Sequence, residues 1–186
     1  NETNDIDVTT SAKPDEVIKL FSDYRVIETG LKHGTVTVMC NKIPVEITTY
    51  RTESTYSDNR HPDEVVFCEK LESDLSRRDF TINALACSKS GKIIDVFSGT
   101  NDLNSGIIKA VGNPETRFSE DALRIIRAFR FASVLGFKIE QNTKKAAYVC
   151  ADKISNISGE RIYCELLKLA SGKKPSELCE LINLGF

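Results

Sequence analysis

The stretch Arg77-Arg78-Asp79-Phe80-Thr81-Ile82-Asn83-Ala84 has the residue types and spacing best suited to chemistry in this chain. Two arginines and an aspartate lead directly into an apolar segment that contains an asparagine. Burying such polar groups beside core residues is costly unless each finds a partner, and bound phosphates and sugars are suitable partners. The stretch therefore indicates a phosphate-binding site, with a helix end and a following buried strand as the simpler alternative.

Asp5 and Asp7 form a second candidate group, because residues i and i+2 of a strand point to the same side. Their carboxylates would lie about 6–7 Å apart. Glu46, on a predicted strand over residues 45–50, would add a third. Oxygen ligands placed in this way suit one or two Mg²⁺ ions, which support phosphoryl transfer. Unrelated surface carboxylates are the alternative.

A third group follows the sequence Glu120-Asp121-x-x-Arg124-x-x-Arg127-x-x-Arg130. On a helix, Asp121, Arg124 and Arg127 would lie roughly along one face, and Arg130 somewhat around it. The alternative is an ordinary amphipathic helix whose Asp–Arg pair contributes about 0.3–0.5 kcal/mol.

The functional interpretation of this helix concerns nucleotide bases. Aspartate offers only hydrogen-bond acceptors and arginine only donors. Cytosine and adenine each present an amino donor beside a ring-nitrogen acceptor, whereas uracil and guanine present a carbonyl beside an N–H. Asp121 with Arg124 would therefore accept C and A, and would leave polar groups of U and G unpaired. No nucleic-acid template would be needed.

Short strands and helices must position these groups. Periodic apolar residues predict a helix over 120–135, which Ser119 caps and Gly136 ends. The other predicted strands cover residues 25–28, 35–40, 82–87, 93–97 and 107–111, and the other helices 14–21, 143–153, 160–169 and 176–184. The pattern changes after Pro114, so we predict an α+β head domain over residues 1–114 and an all-helical domain over 115–186.

Bulk composition is that of an ordinary globular protein, with 40% apolar and 28% charged residues. No apolar run approaches the roughly 20 residues of a membrane span, so we expect no membrane association. The net charge of -2 conceals an asymmetry: -5 over residues 1–114 and +3 over residues 115–186. Six scattered cysteines without metal-ligand spacing favour reduced thiols and a cytoplasmic location.

These motifs, in this order, resemble those of the tRNA nucleotidyltransferases (CCA-adding enzymes) of the bacterial and eukaryotic class, which share a superfamily with bacterial poly(A) polymerases. Asp5-Ile6-Asp7-Val8 is similar to the metal-binding motif, and Glu46 to the third acidic position. Residues 77–84 resemble the motif that contacts ribose and phosphates. Glu120-Asp121-x-x-Arg124 resembles the amino-acid template that selects CTP and ATP.

The resemblance implies a nucleotidyltransferase head, with a mixed β-sheet and flanking helices, on a helical neck. It implies that Asp5, Asp7 and Glu46 are catalytic and that Asp5 and Asp7 hold Mg²⁺ as the cofactor. The implied nucleotide-binding residues are Arg78, Asp79, Asn83, Asp121, Arg124, Arg127 and Arg130, supported by Glu120, Glu160 and Arg161. Ser158-Gly159-Glu160-Arg161-Ile162, with Glu165, resembles the neck motif that supports the template.

The implied activity is addition of C, C and A to tRNA 3′ ends from CTP and ATP. Residues 51–62 resemble the flexible loop of full CCA-adding and A-adding enzymes. Two family features are not found: a glycine-rich phosphate loop before Asp5, and the body and tail regions after the neck. We therefore expect an incomplete piece with weak catalysis by itself. The alternatives are a poly(A) polymerase, an A-adding enzyme, or a nucleotide- or RNA-binding module without catalysis.

Overall fold

A four-stranded sheet opens the chain in the computed structural model, which describes residues 6–53 and 65–185. Its strands are β1 (Ile6–Thr10), β2 (Arg25–Gly30), β3 (Thr35–Cys40) and β4 (Ile43–Thr49), in the order β1-β4-β3-β2. β1 and β4 are parallel, whereas the other two pairs are antiparallel. The mixed sheet of the predicted α+β fold is therefore confirmed.

Alternation along the strands gives this sheet two different faces. Val38 and Ile47 share a core with Val17 of the first helix, and all three are buried. Glu46 lies on the opposite face, since its sequence neighbours Val45 and Ile47 belong to this core. Asp7 faces the same way as Glu46, because the two residues are partners in the register of β1 and β4. The β-branched residues that favour strand formation therefore also determine which face carries the acids.

The other strands are short and pair in twos: β5 (Arg51–Glu53) with β6 (Val65–Phe67), β7 (Leu85–Cys87) with β8 (Ile93–Asp95), and β9 (Ile107–Ile108) with β10 (Lys138–Ile139). The helices are α1 (Pro14–Leu20), α2 (Leu71–Ser76), α3 (Gly99–Ser105), α4 (Pro114–Glu120), α5 (Leu123–Leu135), α6 (Gln141–Val149), α7 (Gly159–Ala170) and α8 (Glu177–Ile182). In the part of the chain that the structure describes, none of them is long and apolar enough to cross a membrane.

The described residues form two compact units, residues 6–53 with 65–74, and residues 75–185. The second unit has its own core, in which Phe80, Phe118 and Phe129 are fully buried and α5 packs on α7. Helices predominate from residue 114 onwards, as expected. The domain boundary at residues 114 and 115 stays a prediction.

The start of the predicted helix over residues 120–135 is wrong. Asn113 caps α4 instead, because its side chain accepts a hydrogen bond of 3.0 Å from the backbone N–H three residues later. The chain leaves the helix at Asp121, with φ −143° and ψ 104°, and α5 begins at Leu123. Ser119 therefore lies inside α4 and caps nothing. Gly136 ends α5 with a φ of 77°, as predicted.

Candidate functional site

Asp7 and Glu46 are direct partners on the neighbouring parallel strands β1 and β4. Such strands lie about 4.8 Å apart, so the two exposed carboxylates face the same side at a spacing that one cation can bridge. Asp5, the third predicted acid, lies outside the described residues. Within ranges 6–53 and 65–185 no group of three or more acidic, histidine or cysteine side chains is arranged so that it could hold a metal ion. Asp7 and Glu46 thus present two neighbouring carboxylates, the type of oxygen group that Mg²⁺ prefers, and their role as metal ligands stays a prediction.

The stretch 77–84 folds as a buried anchor followed by a tight turn. Phe80 is fully buried. The 3₁₀ turn Thr81–Asn83 follows it, so the predicted strand over residues 82–87 begins only at Leu85. This turn brings Asn83 back to Asp79, and Asn83 Nδ2 donates a hydrogen bond of 3.0 Å to Asp79 Oδ1.

Asp79 accepts four hydrogen bonds and its side chain is only 9% exposed. Oδ1 accepts from Asn83 and from Phe80 N at 2.8 Å, and Oδ2 accepts from Arg127 Nε at 2.9 Å and Nη2 at 2.6 Å. Burial by itself would raise the pKa of Asp79, but the Arg127 guanidinium and these hydrogen bonds hold it below its ordinary value. Arg78 Nη1 donates to the Asn83 carbonyl at 3.1 Å and closes the turn. Asp79 therefore orients Asn83 and Arg127.

Asp121 lies between α4 and α5 rather than on a helix face. Its Oδ1 accepts from Leu123 N at 3.1 Å, which satisfies a free N–H at the start of α5. Its Oδ2 accepts from Arg161 Nη2 at 2.9 Å. Because Arg161 belongs to α7, this ion pair connects the predicted neck motif to the predicted base-reading aspartate. Glu160, the neighbouring predicted residue, is exposed.

Arg124 is buried, with 9% of its surface exposed. Its Nη1 donates to Glu120 Oε2 at 2.7 Å and to the Arg117 carbonyl at 3.2 Å. Its Nη2 donates to the Arg77 carbonyl at 3.1 Å. A guanidinium group has five donors in one plane, so three such bonds determine its orientation.

Arg127 and Arg130 are held by a shared carboxylate, that of Glu165 on α7. Arg130 Nε donates to Glu165 Oε2 at 2.8 Å, and Arg127 Nη1 lies 3.7 Å from Oε1. The Arg130 guanidinium also lies 3.5 Å from the ring centre of Phe131. Burial lowers the pKa of Arg130, although pairing with Glu165 opposes this. Glu165 is itself buried, so α5 and α7 are joined by a desolvated ion-pair network.

The unit of residues 75–185 thus brings together most of the predicted nucleotide-binding residues. Sequence reasoning missed Arg117, which pairs with Glu120. Its spacing of three residues from Glu120 was a signal for that pair, but the predicted helix began only at residue 120. The predicted loop over residues 51–62 begins as strand β5, and its remainder from residue 54 lies outside the described residues.

Comparison with known proteins places this geometry in a family. Residues 1–109 match the family model described as the poly A polymerase head domain, and residues 136–186 match a probable RNA and SrmB-binding site of polymerase A. The CCA-adding enzyme of Ligilactobacillus salivarius is 52% identical over 174 residues, which cover 94% of this chain and 43% of that protein.

Solved structures of a CCA-adding enzyme and of a tRNA nucleotidyltransferase also resemble this chain. A Bacillus stearothermophilus CCA-adding enzyme in complex with CTP superposes with a TM-score of 0.86 at 41% identity, covering 96% of this chain and 42% of that one. A tRNA nucleotidyltransferase complexed with a primer tRNA and an incoming ATP analog has a TM-score of 0.75 at 27% identity, covering 98% and 52%.

The chain spans less than half the length of the curated relatives that it matches. Within that span, the match includes both the mixed sheet with its paired acids and the helices that carry the arginine network. The chain therefore belongs to the poly A polymerase head-domain family of nucleotidyltransferases, the family that includes the CCA-adding enzymes.

Proposed function

We propose that the protein containing this chain adds C, C and A to the 3′ end of tRNA, using CTP and ATP without a nucleic-acid template. The CCA-adding relatives, one solved with CTP, support this substrate set. So does the tRNA nucleotidyltransferase solved with a primer tRNA and an ATP analog. The cytoplasmic location expected from the cysteines stays a prediction.

The observation that carries the proposal is the support given to Asp121 and Arg124. Arg161 bonds the Asp121 carboxylate, and Glu120 bonds the Arg124 guanidinium. A carboxylate acceptor and a guanidinium donor held in this way complement the pairing edges of cytosine and adenine. Uracil and guanine present the reverse order of groups and would leave buried polar atoms unpaired.

Phosphoryl transfer joins the 3′-hydroxyl oxygen of the RNA to the α-phosphorus of the nucleotide, and pyrophosphate leaves. Asp7 and Glu46, with Asp5, would hold Mg²⁺ through their carboxylate oxygens. When bound, this ion neutralises phosphate charge and lowers the pKa of the attacking hydroxyl. Arg78, Asn83, Arg127 and Arg130 are the proposed partners of the sugar and phosphates, with Asp79 positioning Asn83 and Arg127.

An extension assay with the complete protein tests the proposal. The substrates are tRNA ending before CCA, tRNA ending after CC, and an unrelated RNA, each offered the four nucleotides separately. We expect C addition to the first and A addition to the second. Extension of the unrelated RNA with A alone would instead identify a poly(A) polymerase, a possibility that the matched family's description favours. A addition to tRNA ending in CC, without C addition to shorter tRNA, would identify an A-adding enzyme.

Asp7→Ala tests the role of the sheet acids. We expect turnover to fall about a thousandfold, because metal-ion stabilisation of charge contributes several kcal/mol. Asp7 is exposed, so thermal stability should be nearly unchanged. Asp15→Asn, which neutralises an exposed acid on α1, is the matched control and should retain wild-type turnover. Unchanged turnover in the Asp7 variant would refute the proposed role of Asp7 in holding the metal ion, whereas a wild-type protein without turnover would be only a nucleotide- or RNA-binding module.

A further inference from the structure

Two arginines from successive helices hold two consecutive carbonyl groups at the end of α2. Arg117 Nη1 on α4 donates to the Ser76 carbonyl at 3.1 Å. Arg124 Nη2 on α5 donates to the Arg77 carbonyl, also at 3.1 Å. Carbonyl groups at a helix C-terminus lack intrahelical partners and carry partial negative charge, so cations stabilise them. The two arginines thus fix the backbone immediately before Arg78.

Glu120 lies between the same two arginines and bonds both of them. Its Oε1 pairs with Arg117 Nη2, and its Oε2 pairs with Arg124 Nη1 at 2.7 Å. The backbone carbonyl of Arg117 accepts a further hydrogen bond from Arg124 Nη1 at 3.2 Å. The three side chains are only 10–20% exposed, so water screens these bonds little. Arg117 therefore holds Arg124 in two ways. Its backbone carbonyl bonds Arg124 directly, and its side chain holds Glu120, which bonds Arg124.

We propose that Arg117 is a positioning residue for base selection, an inference that rests on the proposed function. Uracil offers the same kinds of groups as cytosine in the opposite order. An Arg124 that could shift relative to Asp121 would therefore find acceptable partners on either base. Discrimination requires Arg124 to hold one position, and the Arg117–Glu120 pair supplies that restraint.

The two contacts of residue 117 require the side chain of arginine. Its planar guanidinium reaches the Ser76 carbonyl and the Glu120 carboxylate simultaneously, from two different nitrogens. A lysine has the same charge but a single nitrogen at the end of a flexible stem. A lysine at residue 117 should therefore retain only part of the selectivity for CTP over UTP.

The test measures nucleotide selectivity in the complete protein with tRNA that ends before CCA. The quantity is kcat/KM for CTP divided by kcat/KM for UTP, for the wild type, Arg117→Gln and Arg117→Lys. This ratio does not depend on the fraction of enzyme that is folded, so loss of stability alone cannot change it. Lys19→Gln is the control, since it removes one exposed positive charge from α1.

We expect the ratio to fall about tenfold or more in Arg117→Gln, because a hydrogen-bonded charged group is lost. Arg117→Lys should lie between this variant and the wild type, and Lys19→Gln should match the wild type. A ratio within threefold of wild type in Arg117→Gln, even with a lower melting temperature, would show that Arg117 only stabilises the fold and would overturn the inference. A wild type that does not prefer CTP would instead refute the proposed function itself.

Discussion

Several charged side chains in this protein are buried or partly buried, and they orient one another. Asp79, Glu120 and Glu165 each bond one or two arginines at low exposure. Desolvation makes each charge costly, and that cost is offset only while its partners remain in place. Groups held in this way do not need to reorganise when a charged ligand binds, which is the arrangement that favours electrostatic catalysis.

Asp79→Asn should change how stability depends on pH. The folded-state pKa of Asp79 lies below its ordinary value, so its charged form stabilises the fold at neutral pH. This contribution is complete above the unfolded pKa, near 3.8, and disappears as the pH falls through the lower folded pKa. Breaking the partly buried pair with Arg127 should cost about 2 kcal/mol at pH 7, measured by urea unfolding.

Unfolding free energies of both proteins should be measured at pH 7 and in the acidic range. The difference in unfolding free energy between wild type and Asp79→Asn should shrink as the pH falls below about 4. Asp15→Asn, at an exposed position, should stay close to wild type at both pH values. A difference for Asp79→Asn that stays constant with pH would contradict the assigned pairing.

Among the elements, helix α3 supports the turn Thr81–Asn83. Asp102 of α3 accepts a hydrogen bond of 2.7 Å from Thr81 Oγ1. Asp95 accepts from the backbone N–H of Gly99 at 2.8 Å, at the start of the same helix. A side chain on Gly99 would place its Cβ only 2.1 Å from the Thr81 carbonyl oxygen, so the helix approaches the turn closely only because residue 99 is glycine.

Gly99→Ala should therefore destabilise the protein by about 2 kcal/mol, as other substitutions that overpack a core do. Gly159→Ala is the matched control, because a Cβ there meets no atom within 4 Å and alanine favours helix α7. Its unfolding free energy should equal that of wild type or exceed it slightly. Equal effects of the two substitutions, measured by chemical unfolding, would show that α3 does not pack against the turn as described.

At the scale of the whole molecule, the described residues have two separate cores. Val38 and Ile47 belong to the core of the sheet unit, and Ile126 and Phe129 belong to the core of the helical unit. Substitutions without shared neighbours usually have additive effects on stability. Each unit should therefore respond to changes in its own core.

Ile47→Val and Ile126→Val should each lower the unfolding free energy by about 1 kcal/mol, since each deletes one buried methylene. The double variant should show the sum to within about 0.5 kcal/mol. Urea unfolding of the four proteins provides the measurement. A larger coupling energy would mean that the two cores are energetically connected.

The α+β fold and the order of the motifs could be predicted from the sequence, because they depend on local sequence patterns. The β-branched residues of β4 predicted a strand that carries Glu46, and the structure places Glu46 on the face of this strand away from the core. The first residue of α5 could not be predicted, because Asn113 and Ser119 are both residue types that favour the N-cap of a helix. Helix α3 was also missed, since its polar sequence lacks an apolar period and its start depends on Asp95.

The sequence by itself determined the chemical types in the site, the sheet that carries Asp7 and Glu46, and the family to which the chain belongs. Only the tertiary structure decided which charges that are distant in sequence pair with each other. Arg127 binds Asp79, 48 residues away, and Arg161 binds Asp121, 40 residues away. Sequence spacing could not show these pairs, because the choice among distant partners depends on which groups are brought together and desolvated when the helices pack.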